Sequence, residues 1–284
     1  MKIITKIYGG LGNQMFQYAC GKAVAYRLNT QLYIDLSWYK KGNRIYMLNA
    51  FPNLKCSVYS KVKSILIKIL RRMGIKKEYF INEPYYSFWK GIEEIKSTVF
   101  MSGYWQNEKY FSDISQIVKQ EFMFPEFDCI EAKNIEKTIK EAACSVSVHV
   151  RRGDYIENQE VNSFHGLCSQ DYYKKAVKII VDKNNGKVIP ELYIFSDDPD
   201  WVKDNFDNCG LTSVVVDIRD HKNKPFHDMH LMSLCQNHII ANSSFSWWGA
   251  WLSSGSGIVV APKYWFVEEK MKEYNPSLAS WILI

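Results

Sequence analysis

A histidine and two arginines fall within one short run, His149-Val150-Arg151-Arg152-Gly153-Asp154-Tyr155. The residues leading into it, Ser145–Val150 (SVSVHV), alternate as a strand does. With Val146, Val148 and Val150 on the apolar face, His149 and Arg151 point together to the other face and Arg152 points away. Open α/β sheets bind ligands just beyond the carboxyl ends of their strands, where this run lies. Adjacent guanidinium forks match phosphate oxygens and Gly153 lets the backbone turn close to them, so the chemistry on offer is diphosphate binding. The competing use is structural, with Asp154 pairing with an arginine to pin a loop. A second cluster is Asp228 with Ala241-Asn242-Ser243-Ser244-Phe245-Ser246-Trp247-Trp248. There a strand ends in Asn-Ser-Ser and a helix begins, which brings hydroxyls and helix N–H groups to one place and makes an anion site. N-capping by Ser243 or Ser244 is compatible with that use. Trp247 and Trp251 stand one turn apart and read as core.

Two motifs invite other chemistry and are set aside. Tyr8-Gly9-Gly10-Leu11-Gly12-Asn13 follows a strand and precedes a helix, but it is neither G-x-G-x-x-G nor a Walker loop with its lysine. Asp198-Pro199-Asp200 has the Asp-x-Asp spacing that holds a metal-nucleotide complex in some sugar transferases. Here it opens a short helix, where the dipole favours acids and proline suits the first turn, so capping explains it without a metal.

The elements that must hold these residues read as two β/α series. Residues 2–7 form a strand, 8–13 a glycine turn, 14–28 a helix and 31–36 a strand, the opening of a doubly wound sheet. The middle is less regular, with an amphipathic helix in 61–77, a polar aromatic stretch over 78–105, a helix-like run at 112–122 and a charged helical segment at 126–144. Strands then follow at 145–150, 191–196, 213–218, 238–241 and 258–261. Helices at 170–183, capped by Ser169, and at 199–206, 227–237 and 245–253 alternate with them, the pattern of parallel crossovers. The expectation is an α/β fold of two Rossmann-like domains facing across a cleft, residues 1–143 and 144–284.

Composition narrows the function classes. A chain of 284 residues with 47% hydrophobic and 23% charged residues is neither disordered nor fibrous. No apolar run approaches the roughly 18 to 20 residues of a membrane span, and the start reaches glycine before a signal-peptide core can form, so a cytoplasmic location is expected. The seven cysteines are odd in number and lack a C-x-x-C pair, which argues against a disulfide framework and a zinc site. The net charge of +6 sits in residues 61–77, which hold seven cations and no acid. Val62, Ile65, Leu66, Ile69, Leu70 and Met73 make one helical stripe there, with the cations on the other face. Such a helix lies on an anionic membrane surface or presents an ordinary solvated face. Nucleic acid is not expected as a partner, because no basic stripe with interleaved aromatics continues elsewhere.

Four motifs, taken in order, resemble the bacterial α-1,2-fucosyltransferases of glycosyltransferase family 11: GGLGNQMFQYA (9–19), HVRRGDY (149–155), FSDD (195–198) and CQNHIIANSSFSWWGAWL (235–252). The resemblance runs from Gly9 to about Pro262 and is weakest over 40–125. The H-x-R-R-x-D segment is also similar to that of the core α-1,6-fucosyltransferases and protein O-fucosyltransferases. The resemblance implies a GT-B architecture, GDP-β-L-fucose as donor, the 2-hydroxyl of a galactose-terminated glycan as acceptor, inversion at the anomeric carbon, and no cofactor or obligatory metal. It makes Arg151 the phosphate-binding and catalytic arginine with Arg152 in support, and sets His149 and Asp228 beside the guanine. Ser244, with Asn242, Ser243 and Phe245, holds the diphosphate, and Ser196 and Asp197 of FSDD join the donor site. Asn13 and Gln14 face the cleft from the first domain, with Glu157 and His165 toward the acceptor. The base position of the α-1,6 enzymes counts to Gln159, so among Asp154, Glu157, Glu160 and His165 we take Asp154 as base, although a salt bridge to an arginine would use it equally well. Two other readings stand beside this one: a non-catalytic glycan- or nucleotide-binding protein of the same fold, and a transferase using another nucleotide sugar. In bacteria such an enzyme would work near lipid-linked precursors, where the 61–77 helix gives a peripheral membrane contact.

Overall fold

In the computed structural model the first strand, β1 (Ile3–Lys6), is buried on both faces up to its last residue, as the central strand of a parallel sheet must be. Its neighbours are β2 (Leu32–Asp35) and β5 (Val99–Ser102). With β3 (Ser57–Val58) and β4 (Phe80–Asn82) they form an all-parallel sheet in the order β3-β2-β1-β5-β4. Gly9, at φ +80°, turns the chain out of β1 in a conformation that favours glycine. Helix α1 (Leu11–Arg27) then starts inside the stretch read as a turn, because the Gln14 backbone N–H already donates to Gly10 O at 3.0 Å. Helix α2 (Ser115–Glu121) is tied to α1 through buried Glu121, which accepts from the Tyr18 hydroxyl and Lys22 Nζ, each at 2.6 Å. Strands β4 and β5 lie in the stretch read as irregular; Val99, Phe100 and Met101 of β5 are all buried, so the strand has no polar face to alternate.

The second sheet is also all parallel, in the order β11-β10-β9-β6-β7-β8. Its strands are β6 (Ser145–Val150), β7 (Glu191–Ser196), β8 (Ser213–Val216), β9 (Asn237–Ile239), β10 (Val259–Ala261) and β11 (Ile282–Leu283). The helices are α3 (Ile130–Glu141), α4 (Gln170–Lys183), α5 (Pro199–Asn205), α6 (Pro225–Leu234) and α7 (Ser244–Leu252). Val146, Val148 and Val150 pack with Tyr173, Ala176, Val177 and Ile180 of α4. Tyr193, Phe195 and Val216 pack with Leu231 and Met232 of α6 and with Ala132 and Ile139 of α3. Ser169 caps α4 by accepting the Tyr172 N–H at 3.2 Å. Trp247 and Trp248 are fully buried, and Trp247 stacks on Trp251, so these rings are core.

The chain divides into two units, Met1–Pro125 and Glu126–Ile284, and α3 goes with the second because its apolar stripe belongs to that core. In each sheet the chain leaves the first strand in one direction and returns on its other side, so β1/β5 and β6/β9 are the places where strand order reverses. The described residues are 1–40, 44–59, 69–70, 72–74, 80–152, 166–184, 188–218, 224–255 and 257–284. Most of the basic segment 61–77 falls outside them; Ile69, Leu70 and Arg72 are helical, and Ile69 and Met73 are exposed. All seven cysteines are free. No helix of the described residues is long and apolar enough to cross a membrane.

Candidate functional site

Strand β6 delivers Arg151 and Arg152 to the carboxyl edge of the second sheet beside the end of β7, with Val150 in register with Ser196. Asp197 binds both arginines: Arg151 Nη1 lies 2.8 Å from its Oδ2, and the Arg152 backbone N–H donates to its Oδ1 at 2.8 Å. The Arg152 guanidinium lies over the Trp201 ring, 3.5 Å from the centroid, with Nε 3.6 Å from Asp198 Oδ2. Asp198 also caps α5 by accepting the Trp201 N–H at 3.2 Å, and its own N–H donates to Ser196 Oγ at 3.0 Å. Arg152 is therefore bracketed between an aromatic face and a carboxylate, while Asp197 anchors one nitrogen of the Arg151 fork.

His149 is buried with its ring 5.7 Å from that of Phe245, the second residue of α7. Burial, and then the charge of Arg151, hold its pKa far below the usual range, so the ring is neutral at pH 7. Its Nδ1 has no hydrogen-bond partner among the described residues. Ser243 caps α7 by accepting the Phe245 N–H at 3.3 Å, with Ser244 as the first helical residue. This places a helix N-terminus, with its partial positive charge, at the end of β9 next to β6. Asp228 is buried in the first turn of α6. Asn242 has a positioning role: its Nδ2 donates to Gly166 O at 3.2 Å and to Trp265 O at 3.3 Å, tying two loops to the strand end.

In the first unit Asn13 Oδ1 accepts from Gln106 Nε2 at 2.7 Å, at the head of α1. Gln14, expected to face the cleft, is instead fully buried, and its amide is engaged within its own unit. Nε2 donates to Gly9 O and Ile45 O, and Oε1 accepts from the Met47 N–H. Asp154, Glu157, Glu160 and His165 lie outside the described residues. Among the described residues Asp128, Cys129 and His227 bring possible metal-ligand atoms within 4.8 Å of one another. Asp128 is already paired with Lys224 Nζ, and its carboxyl pKa is lowered mainly by that bond. Sequence reasoning missed Trp201, because only the β6/β7 pairing brings residue 201 to residue 152.

Two parallel α/β units, the second with paired arginines and a helix N-terminus where its strand order reverses, have a GT-B-like fold. The solved structure of an Arabidopsis thaliana FUT1 variant in complex with GDP matches this fold with a TM-score of 0.52 at 11% identity, over 95% of this chain and 72% of that one. The sequence profile of Glycosyl transferase family 11 matches residues 2–284, and the chain belongs to that family. It is 34% identical to an Escherichia coli alpha-1,2-colitosyltransferase, over 99% of this chain and 98% of the relative. It is 32% identical to the E. coli O-antigen biosynthesis glycosyltransferase WbnK, over 96% and 97%. A Bos taurus galactoside 2-alpha-L-fucosyltransferase, SEC1, is 23% identical over 89% of this chain and 65% of its own length.

Proposed function

We propose that this glycosyltransferase is an inverting α-1,2-fucosyltransferase that moves L-fucose from GDP-β-L-fucose to the 2-hydroxyl of a terminal galactose without a divalent metal. The observation that carries this reading is the Arg151 fork, held by Asp197 beside the N-terminus of α7 where the strand order reverses. As the bond to GDP breaks, negative charge builds on the departing diphosphate, and a fixed guanidinium with helix N–H groups meets that charge without a metal. The acids that could have held a metal have other partners, since Asp198 caps α5 and Asp200 pairs with Lys203. The buried neutral His149, with its Nδ1, and Asp228 supply polar atoms suited to the edge of a guanine. We assign Asp154 as the base from its place after the arginine pair. The basic segment 61–77 supports a peripheral membrane contact.

A second reading follows from the colitosyltransferase relative: the donor carries colitose, a 3-deoxy relative of fucose. Incubation with lactose and either GDP-fucose or GDP-colitose in EDTA tests both. A fucosylated trisaccharide is the expected product; product from GDP-colitose alone would transfer the assignment to that sugar. Neither product nor GDP release would leave the non-catalytic binding protein standing. An absolute Mn²⁺ requirement would return Asp198 and Asp200 to consideration as metal ligands.

A further inference from the structure

The first sheet has its own reversal point, between β1 and β5, and the loops that leave it there carry aromatic rings. Tyr8 follows β1 and Tyr104 follows β5, and their rings meet edge to face at 60° with centroids 5.1 Å apart. Trp38, after β2, lies 6.2 Å from Tyr8 at a tilt of 47°. Tyr86, after β4, stacks on Tyr104 at 6.2 Å and 15°. The fully buried rings of this unit, Trp105, Phe16, Tyr18, Phe111 and Phe122, belong to its core, whereas these four are only half-buried. Four loops thus bring one aromatic cluster, its rings turned at different angles, to the carboxyl edge of the sheet, where open α/β folds take ligands.

A carboxylate stands beside the surface and holds its central loop. Glu83 Oε2 accepts the Tyr104 N–H at 2.6 Å and Oε1 accepts the Trp105 N–H at 3.0 Å. Trp105 sits at φ +55°, a conformation that a bulky side chain rarely adopts, and these bonds keep the turn in place. A Cβ on Gly103 would come within 2.3 Å of the Glu83 Cβ, so the loop closes on this carboxylate only through glycine. Burial pushes the Glu83 carboxyl up to about 7, against the pull of its two N–H bonds, so a further donor such as a sugar hydroxyl would favour its charged form.

We propose that Tyr8, Trp38, Tyr86 and Tyr104 form a stacking site for a pyranose ring of the acceptor glycan, with Glu83 as the residue that positions Tyr104 and takes a hydroxyl at the rim. The chemistry matches a galactose, whose axial hydroxyl leaves one apolar C–H face for aromatic rings and a polar edge for a carboxylate. Which sugar it is rests on the transferase reading above; the stacking site rests on its own geometry.

Saturation-transfer NMR with lactose, with and without saturating GDP, tests the site directly, and GDP affinity measured on the same samples reports on the other unit. The wild type should give lactose signals that Tyr104→Ala and Tyr86→Ala lose, with GDP affinity retained. In the transfer assay the lactose KM of these variants should rise about tenfold, with kcat changing less. Glu83→Gln should raise lactose KM in the same direction, and Tyr86→Ala keeps the test decisive if that variant fails to fold. Absence of lactose signals from the wild type under both conditions overturns the proposal, as do wild-type lactose KM values in both tyrosine variants. Failure of the wild type to bind GDP would strike the transferase reading, and the lactose signals would still decide this one.

Discussion

Arg151 has one guanidinium nitrogen 2.8 Å from Asp197, so one end of its fork is anchored before any phosphate arrives. A lysine in its place keeps the charge and loses the fork, and Arg151→Lys should lower the transfer rate about a hundred- to thousandfold with the circular dichroism spectrum unchanged. A rate within a few-fold of wild type would remove the phosphate role. Asp197→Asn keeps the shape and loses the charge-assisted bond, worth about 1.5–3 kcal/mol at most, so its rate should fall by about tenfold or more, with weakened GDP affinity; wild-type values for both would make Asp197 a bystander. Arg151 was legible in the sequence because strand alternation fixes its face and the adjoining glycine marks a turn. Asp197 entered only through the family motif and its pairing with the arginines did not, and Trp201 was missed altogether, since residues 197 and 201 reach 151 and 152 only through strand pairing.

In the second series β6, β7, α4 and α5 were legible to within a residue, since these strands are bounded by turn residues and these helices open on side-chain caps, Ser169 and Asp198, whereas α6 ends three residues before the stretch read as helix and the two-residue β11 was not read. The first unit hid β4 and β5, because β4 is an edge strand of only three residues and β5, buried on both faces, carries no alternation, and with them it hid the Glu83 and Tyr104 loops. The two units also carry opposite acid responses. All six histidines lie after residue 125. Burial lowers His238 to about 4 and His230 to about 4, and holds His149 low as well. Unfolded histidine takes up a proton below about 6.5, so the stability that depends on these neutral rings is full above that pH and falls as pH drops toward the folded values, by up to about 1.4 kcal/mol per pH unit for each ring. Glu83 has the reverse sign: with its folded pKa raised to about 7, its contribution is full below the unfolded value near 4.5 and is lost as pH rises through 7. Native-state hydrogen exchange at pH 5 and pH 8, corrected for intrinsic rates, should therefore find the second unit better protected at pH 8 and the β4/β5 region better protected at pH 5. His238→Gln should flatten the first trend, and parallel trends in both units would contradict these assignments.

At the scale of the whole chain, the net charge of +6 belongs to one segment, because residues 61–77 hold seven cations and no acid. Where that segment is described, Ile69 and Met73 of its apolar stripe are exposed. Exposed apolar residues beside cations clustered in the sequence match an anionic bilayer surface, where each cation contributes up to about 1 kcal/mol and salt screens the attraction. The chemistry assigned to the chain uses none of these residues, so membrane contact and turnover should separate. Replacing Lys68, Arg71, Arg72 and Lys76 with glutamine should weaken sedimentation with vesicles rich in anionic lipid at low salt and leave turnover of soluble lactose unchanged. Indifference of the wild type to such vesicles would make the segment a solvated helix of the first unit. Loss of lactose turnover in the quadruple variant would instead connect the segment to acceptor binding, and the lactose KM against the kcat would tell that role from a general loss of folding.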